Sequence, residues 1–350
     1  MSARLDELTP ELIAEWETLA ESVRASPFAR PGWFEAWSLG FARRPLVAVT
    51  LRDRGRLVAL LPLLQERRGL RSPTNWHSIQ FGPLSADDGS ARLLLQHLFT
   101  GRWPRIDLGH LAPRTADDAR RAAAACGRHQ VFWVQQRAPY IAIDQPWESY
   151  AERLDRRWLR QLESRRRRLA RDGLLYLDVT DGASDLDRLL REGFQLEAAG
   201  WKGEGGTSIL SHATTRRFYG ELAAWAASRG WLRLAFLRLS GRAIAFDLCI
   251  EHDGVHYFLK TGFDPSLRAS APGLILRHDM IRRSFDLGLR RHELLGGDER
   301  WKMAWTETTR EMGRLVALRA SPIGQLEWAA YAHGRPLLKR AQQRWRALRG

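Results

Sequence analysis

The chain has 350 residues, a length that suits two domains of about 150 to 180 residues better than one compact core. Hydrophobic residues make up 44% and charged residues 27%, which excludes wholesale disorder, and no apolar run is long enough to predict a membrane-spanning helix. The first 19 residues have neither a basic segment nor a cleavage site, so we expect no signal peptide. Cys126 and Cys249 indicate neither a disulfide framework nor a metal site, and the predicted compartment is the cytoplasm.

The formal net charge is +15, which raises the question of a nucleic-acid or membrane partner. Nearly all basic residues are arginines, and the four lysines are Lys202, Lys260, Lys302 and Lys339. Such a skew is what a GC-rich genome gives without selection for binding. The basic residues concentrate locally in two stretches, 156–171 and 339–349.

Two parts of the chain repeat one pattern. Residues 46–64 are two apolar runs joined by a turn at Gly55, which predicts a β-hairpin, and residues 232–250 repeat the pattern around Gly241, 186 positions later. A helical stretch then precedes an Arg-x-x-Leu strand at Arg105 in the first copy and at Arg291 in the second, again 186 apart. Two matches at one offset, in one order, indicate a duplicated α/β unit.

The segment between the copies, residues 158–174, has leucines at near-helical spacing and arginines on its other faces, and it predicts a connecting helix. Its arginines are either a solvated face or a contact for an anionic ligand, such as tRNA, a lipid-linked glycan or a membrane surface. The end of the chain, residues 325–349, is helix-like with a basic end, and it is expected either to pack on the domain or to lie at a membrane interface.

The second copy predicts a definite order of elements: two helices, three antiparallel strands, a helix, a strand and a closing strand, which make an α+β unit on a mixed sheet. In chain order the predicted elements are helices 184–199 and 214–228, strands 231–239, 243–251 and 255–262, helix 272–287, and strands 291–295 and 313–320.

One junction in this order is chemically distinctive. The strand that ends at Gly262 leads into a helix that begins at Pro272, and proline suits the first helical position because its missing N–H would be unpaired there. Gly273 allows close approach to the backbone, and the helix N-terminus favours an anion. With Arg268 nearby, the sequence predicts a phosphate site.

The sequence from Arg268 to Gly273 (RASAPG) resembles the loop with which GNAT acetyltransferases hold the diphosphate of coenzyme A, except that Ala271 stands where the family usually has glycine. Further segments resemble the CelD-like branch of bacterial GNAT proteins, distant relatives of FemAB peptidyltransferases. These segments are Trp201 to Gly203, Phe263 with Asp264, and Gly297 to Lys302 in the second copy, and 27–37 with 60–64 in the first.

The resemblance spans residues 10–320 and implies a tandem GNAT fold, an α/β (α+β) architecture of mixed central sheets flanked by helices. The implied divisions are a degenerate N-terminal GNAT-like domain at 1–150, an arginine-rich connecting helix at 151–175, a C-terminal GNAT acyltransferase domain at 176–321 and a basic C-terminal helix at 322–350.

The resemblance further implies direct attack of an acceptor amine or hydroxyl on an acyl-CoA thioester, without a metal, with a sugar or exopolysaccharide precursor as acceptor. Asp264 is the first candidate for the base, and a cap before Pro265 is its alternative role. Trp301 stands where the family often has tyrosine, so the proton donor to the thiolate stays unassigned. The candidate site residues are Asp264, Lys202, Asp298, Glu299 and Lys302 for catalysis, Arg268, Ala269, Ser270, Ala271, Pro272 and Gly273 for the donor, and Trp201, Trp301 and Trp305 for the substrate.

Two alternatives stay open at this point. The same fold with aminoacyl-tRNA as donor, as in FemAB proteins, would use the arginine-rich segment to bind RNA, whereas nucleic acid is not expected otherwise. A protein without catalytic activity, acting as a scaffold in polysaccharide synthesis, is suggested by Ala271 and Trp301. Contact with the inner face of the membrane through the basic segments is compatible with each hypothesis.

Overall fold

The computed structural model describes residues 2–199 and 206–334. Its first repeat begins with a strand and two helices, continues with an antiparallel hairpin and two short strands, and ends with two helices and two strands. The elements are β1 (Ser2–Glu7), α1 (Pro10–Ser22), α2 (Pro31–Phe41), β2 (Leu46–Asp53), β3 (Arg56–Glu66), β4 (Gly69–Arg71), β5 (Leu84–Ser85), α3 (Asp88–Thr100), β6 (Arg105–Leu111), α4 (Pro113–Ala125) and β7 (His129–Ala142).

Two helices connect this repeat to the second one, and the second is the arginine-rich segment. The remaining elements are α5 (Trp147–Ala151), α6 (Arg156–Leu169), β8 (Leu175–Thr180), α7 (Leu186–Ala198), α8 (Ala213–Ser228), β9 (Leu232–Leu239), β10 (Arg242–His252), β11 (Val255–Phe263), α9 (Pro272–Asp286), β12 (Arg291–Glu293), α10 (Arg300–Met303), β13 (Thr309–Leu318) and α11 (Pro322–Ala329). None of the described helices has the length and hydrophobicity needed to cross a membrane.

The predicted duplication is confirmed in detail. Strands β2 and β3 reappear 186 residues later as β9 and β10 with identical lengths, and β6 and β12 begin at Arg105 and Arg291. Both hairpins turn through a residue pair with positive φ, Arg54–Gly55 in the first and Ser240–Gly241 in the second. Two positive φ values define the type I′ turn, which matches the twist of the strands it joins.

The chain divides into two compact units, and neither unit is continuous in sequence. The first contains 2–31, 43–136 and 311–334 of the described residues. Its strands run in the order β1-β2-β3-β4-β6-β13, with β5 against β3, and β4 and β6 form its parallel pair. The last strand of this sheet, β13, comes from the end of the second sequence repeat.

The second unit contains residues 32–42 and 137–310, apart from 200–205. Its strands run in the order β7-β12-β11-β10-β9-β8, and only β11 and β12 are parallel among these pairs. Here the strand beside β12 is β7, from the first repeat. Each compact unit thus contains segments from both repeats. The division of the chain into four consecutive segments, made from the sequence, is not tested by these units and stays a prediction.

Helices cover both faces of the sheet in the second unit. On one face α7 packs against β10 and β11 so closely that a Cβ atom on Gly262 would lie 2.3 Å from the backbone of Glu197. Helix α2 joins this layer, because Trp33 meets Phe218 of α8 edge to face at 5.4 Å between ring centres. On the other face, α9 and α6 enclose a core that includes Leu162, Ile275 and Trp305.

Candidate functional site

The parallel strands β11 and β12 diverge in the middle of the second unit's sheet. They pair at only three positions, the last of which joins Tyr257 to Glu293. Strand β11 then continues to Phe263, whereas β12 ends at Glu293. A bulge on β11 at Leu259 interrupts its register with β10 at the same level. Beyond Tyr257 the two strands therefore separate, and a gap opens between them within the part of the sheet that the structure describes.

The chain turns away sharply where β12 ends. Leu295 has a φ of 50° and Gly296 a φ of 61°, and the left-handed conformation costs a side chain such as leucine about 1–2 kcal/mol. The turn is held by Lys302, which is 6% exposed and donates from Nζ to the carbonyl oxygen of Leu295 at 2.7 Å. Lys302 also forms an ion pair with Glu299 at 2.7 Å. Its observed contacts stabilise the loop that bounds the gap.

Strand β11 leads into the N-terminus of α9 through a 3-10 turn (Pro265–Ser270) and one left-handed residue, Ala271, with a φ of 48°. The helix begins at Pro272, and Ala271 supplies no side chain to cap it. A Cβ atom on Gly273 would have the ring of Phe263 as its nearest neighbour, at 3.4 Å, which is an ordinary contact. The first turn thus presents its partial positive charge beside an accessible backbone, as an anion site requires.

Asp264 caps the 3-10 turn. Its Oδ1 accepts hydrogen bonds from the backbone N of Ser266 at 2.9 Å and from the hydroxyl of Ser266 at 2.6 Å, and Oδ2 contacts Arg242. Burial raises the pKa of this carboxyl, but the Ser266 hydrogen bonds and the Arg242 charge outweigh it, so the pKa lies below its ordinary value. A carboxylate held in this way acts as a cap, the alternative role that the sequence left open.

Arginines from two different elements lie beside the loop that precedes α9. Arg268 is exposed within the 3-10 turn. Arg168, near the end of α6, donates from Nη2 to the carbonyl oxygen of Ala269 and to the hydroxyl of Ser270, both at 3.2 Å. The sequence analysis named Arg268 as a donor-binding candidate but did not single out Arg168. Arg168 lies about 100 residues earlier in the chain, so no local sequence pattern predicts its contact with this loop.

The remaining predicted residues fall into different environments. Asp298 and Glu299 are exposed in the loop after β12, and half-buried Trp301 meets Phe258 edge to face at 6.0 Å. Trp305 is 1% exposed and packs in the core against Trp158, so it does not line a cleft. Trp201 and Lys202 lie outside the described residues.

A buried polar cluster lies between α9 and the sheet behind the diverging strands. Arg277 pairs with Asp247 at 2.6 Å, and both side chains are at most 1% exposed. The imidazoles of His256 and His292 stack at 4.4 Å. Burial lowers the pKa of each histidine, although Glu251 counteracts it at His256. The described residues form no cluster of three potential metal ligands.

The first repeat differs at the equivalent position. Its helix α3 begins after Asp87, whose side chain already caps the helix by accepting from the backbone N of Ser90 at 2.8 Å. Asp88 adds a second carboxylate to the first turn. Two negative charges disfavour a phosphate at this helix N-terminus, whereas the start of α9 carries none.

The chain has a mixed α/β fold in which a parallel pair of strands diverges before an uncapped helix. Residues 155–303, somewhat less than half of the chain, match the family model described as an acetyltransferase (GNAT) domain. This segment contains α6, the diverging strands, the start of α9 and the loop held by Lys302. The search of curated protein sequences gives no match.

Solved structures with the same fold cover nearly the whole chain. FemX aligns with a TM-score of 0.61 at 12% identity, over 94% of this chain and 100% of its own. The C-terminal domain of an Agrobacterium fabrum lysylphosphatidylglycerol synthetase gives 0.56 at 12% identity, over 91% and 95%. L-PGS from Bacillus licheniformis gives 0.56 at 11% identity, over 93% and 97%. At these identities the similarity establishes the fold alone.

Proposed function

We propose that the second unit is an acyltransferase that moves an acyl group, most simply acetyl, from acyl-CoA to an amine or hydroxyl acceptor. The observation that carries the proposal is the uncapped start of α9 at the end of β11, directly beside the gap between β11 and β12. A diphosphate and an extended amide-containing arm need these two features next to each other. The match of residues 155–303 to a GNAT acetyltransferase domain supports the same chemistry.

In this proposal the chain positions the donor with few side chains. The backbone at Gly273 and the dipole of α9 bind the diphosphate, and the gap between β11 and β12 holds the arm that carries the thioester. Holding the thioester beside the acceptor then supplies much of the rate enhancement, because it makes the attack effectively intramolecular. The helix α3 of the first repeat begins with two carboxylates, Asp87 and Asp88, which disfavour a diphosphate. We therefore place the donor in the second unit and regard the first repeat as degenerate.

We assign the removal of the acceptor's proton to Asp298. Asp264 is engaged in capping, and Glu299 is paired with Lys302 at 2.7 Å. Asp298 is exposed in the loop after β12, on the opposite side of the gap from β11. The resemblance of several motifs to CelD-like proteins suggests a sugar or exopolysaccharide precursor as acceptor, with Trp301 as a wall of its site.

Aminoacyl-tRNA as donor is the second candidate. The fold shared with FemX and the arginines of α6 favour it. Binding of this kind would weaken steeply with salt, since it depends on phosphate contacts. A scaffold role without catalysis would show neither donor bound.

Calorimetry with acetyl-CoA tests the proposal on three proteins: the wild type, Gly273→Glu and Gly273→Ala. A Cβ atom at this position has room, so Gly273→Ala should fold and keep most of the affinity, whereas a carboxylate in Gly273→Glu should repel the diphosphate. We expect micromolar binding by the wild type and loss of binding by Gly273→Glu alone. A folded wild type that does not bind acetyl-CoA would exclude the acyl-CoA proposal.

A further inference from the structure

Helix α6 has one apolar face and one strongly basic face. Leu162 and Leu169 are buried in the core of the second unit, with Trp158 and Leu159 packed beside them. The helix also carries seven arginines and one glutamate in 14 residues. Five of these arginines are exposed: Arg156, Arg157, Arg160, Arg167 and Arg168. The helix is therefore anchored through its leucines, and its positive charge is directed outward.

Two contacts fix the C-terminal half of α6 beside α9. Nη1 of Arg166 lies 2.7 and 2.6 Å from the two carboxylate oxygens of Asp279 on α9. Two residues further along, Arg168 reaches the loop at Ala269 and Ser270, immediately before the helix begins. The position of the Arg168 guanidinium is thus set by the packing of two helices.

The charge of Arg168 is not neutralised by these contacts, because a carbonyl oxygen and a hydroxyl are neutral acceptors. No carboxylate of the described residues forms an ion pair with Arg168 or with Arg268. The two hydrogen bonds occupy one of the guanidinium nitrogens, and a guanidinium has five N–H groups. Arg168 therefore has N–H groups available for an anion next to the start of α9.

The donor of the proposed function carries more negative charge than the start of α9 can bind. A helix N-terminus offers about half an elementary positive charge, which suits one bridging diphosphate. Coenzyme A also carries a phosphate on the 3′ oxygen of its ribose. An arginine held from outside the diphosphate loop is the type of group that binds such a phosphate, through short charge-assisted hydrogen bonds.

We propose that Arg168 binds the 3′-phosphate of the donor's adenosine, so that α6 is part of the donor site and not only a connector. This inference rests on the proposed function, and it adds a residue that distinguishes a 3′-phosphorylated donor from one without that group. Arg268, on the loop itself, is placed for the diphosphate. Within the basic face of α6, Arg168 is then the residue that contacts the nucleotide.

The test compares CoA with 3′-dephospho-CoA by calorimetry, on the wild type, Arg168→Gln and Arg167→Gln. Arg167 is the control because it is exposed on the same turn of α6 without an ion pair to a described residue. We expect the wild type to prefer CoA by about tenfold, which is typical of one charge-assisted contact. Arg168→Gln should bind both ligands with the affinity of the wild type for dephospho-CoA, and Arg167→Gln should behave as the wild type.

Each other outcome overturns the inference. If Arg168→Gln weakens both ligands equally, Arg168 acts on the diphosphate or on the fold, and circular dichroism with thermal unfolding tells these apart. If it weakens neither, α6 lies outside the donor site. A wild type that binds neither ligand would overturn the proposed function as well, whereas binding of both with equal affinity would overturn only the role of Arg168.

Discussion

The Nζ atom of Lys302 lies 2.7 Å from the carbonyl oxygen of Leu295, a leucine that the chain holds in the left-handed conformation. Lys302 is almost fully buried, and its charge is shared between this carbonyl and the carboxylate of Glu299. The lysine thereby offsets the cost of a backbone turn that ends β12 while β11 continues. The gap between the two strands thus depends on a side chain that the sequence placed among the candidate catalytic residues.

Replacing Lys302 with methionine keeps the apolar stem and removes the charged donor. We expect a loss of about 2 kcal/mol in the free energy of unfolding, because the carbonyl of Leu295 loses a hydrogen bond from a charged group. Urea denaturation measures the change. The control Arg300→Met, an exposed position on the same short helix, should stay within about 0.5 kcal/mol of the wild type. Equal effects of both substitutions would contradict the stabilising role of Lys302.

Ala271→Gly should stabilise the protein. Alanine in the left-handed conformation costs about 1–2 kcal/mol, and glycine returns about 0.4–1 kcal/mol of this through the larger entropy of the unfolded chain. The net gain is about 0.5–1 kcal/mol in the free energy of unfolding, again from urea denaturation. Ala269→Gly, two residues earlier and outside the positive-φ residues, should instead lower stability. A destabilising Ala271→Gly would show that the Cβ atom packs favourably.

The base can be assigned by comparing two carboxylates. Asp298→Asn should lower kcat by about a hundredfold with unchanged affinity for acetyl-CoA, because general-base catalysis contributes about 10²–10⁴-fold. Asp264→Asn keeps an oxygen that can accept from Ser266, so its kcat should change by less than about threefold. Steady-state kinetics with an acceptor found by screening amines and sugars measures both. A large loss at Asp264 and none at Asp298 would reverse the assignment.

Acid should destabilise the protein from about pH 6.5 downward. Burial lowers the pKa of His292 well below its ordinary value, and that of His256 is lowered as well, so the unfolded chain takes up protons near pH 6.5 that the folded chain excludes. The stability from each neutral histidine is therefore complete above this pH and is lost as the pH falls. Between pH 7.5 and 5.5 we expect a loss of about 1 kcal/mol from His292, whose pKa lies well below its ordinary value, and a further loss in the same direction from His256.

His292→Gln isolates one part of this pH dependence. Glutamine can still bond to the hydroxyl of Ser284, which lies 2.9 Å from Nδ1 of the histidine. Urea denaturation at both pH values should give a pH-dependent loss about 1 kcal/mol smaller in the variant, whatever its absolute stability. An unchanged pH dependence would mean that His292 does not contribute. Burial lowers the pKa of His110 to about 4, so this histidine also contributes to the pH dependence of stability, and it contributes equally in the wild type and the variant.

Local patterns predicted the elements of the second repeat well. Strands predicted at 231–239 and 255–262 are observed as Leu232–Leu239 and Val255–Phe263, and the helix predicted to begin at Pro272 does so. Alternating apolar residues and turn glycines are patterns among neighbours in the sequence, so these elements can be predicted from a single sequence. The same holds for the offset between the repeats, which follows from matching turns.

The contacts around the start of α9 are long-range and could not be predicted from local patterns. Arg168 and Ser270 are about 100 residues apart, and nothing in the arginine-rich run distinguishes one arginine from its neighbours. The contacts of Asp264 with Ser266, which show it as a cap, become visible only in the structure, and its role as a base stays a prediction. Trp305 was named as a candidate substrate-binding residue, but it is buried in the core against Trp158.

The exchanged last strands have a consequence for synthesis of the protein. Strand β6 of the first unit pairs with β13, which leaves the ribosome about 200 residues later, or roughly 10 to 40 s at ordinary elongation rates. The first unit therefore cannot complete its sheet while the chain grows, and β6 must wait with an unsatisfied edge. A chain cut between the repeats would leave each half without its closing strand, so production of either half alone should favour aggregation, and the protein should fold only as a full-length chain.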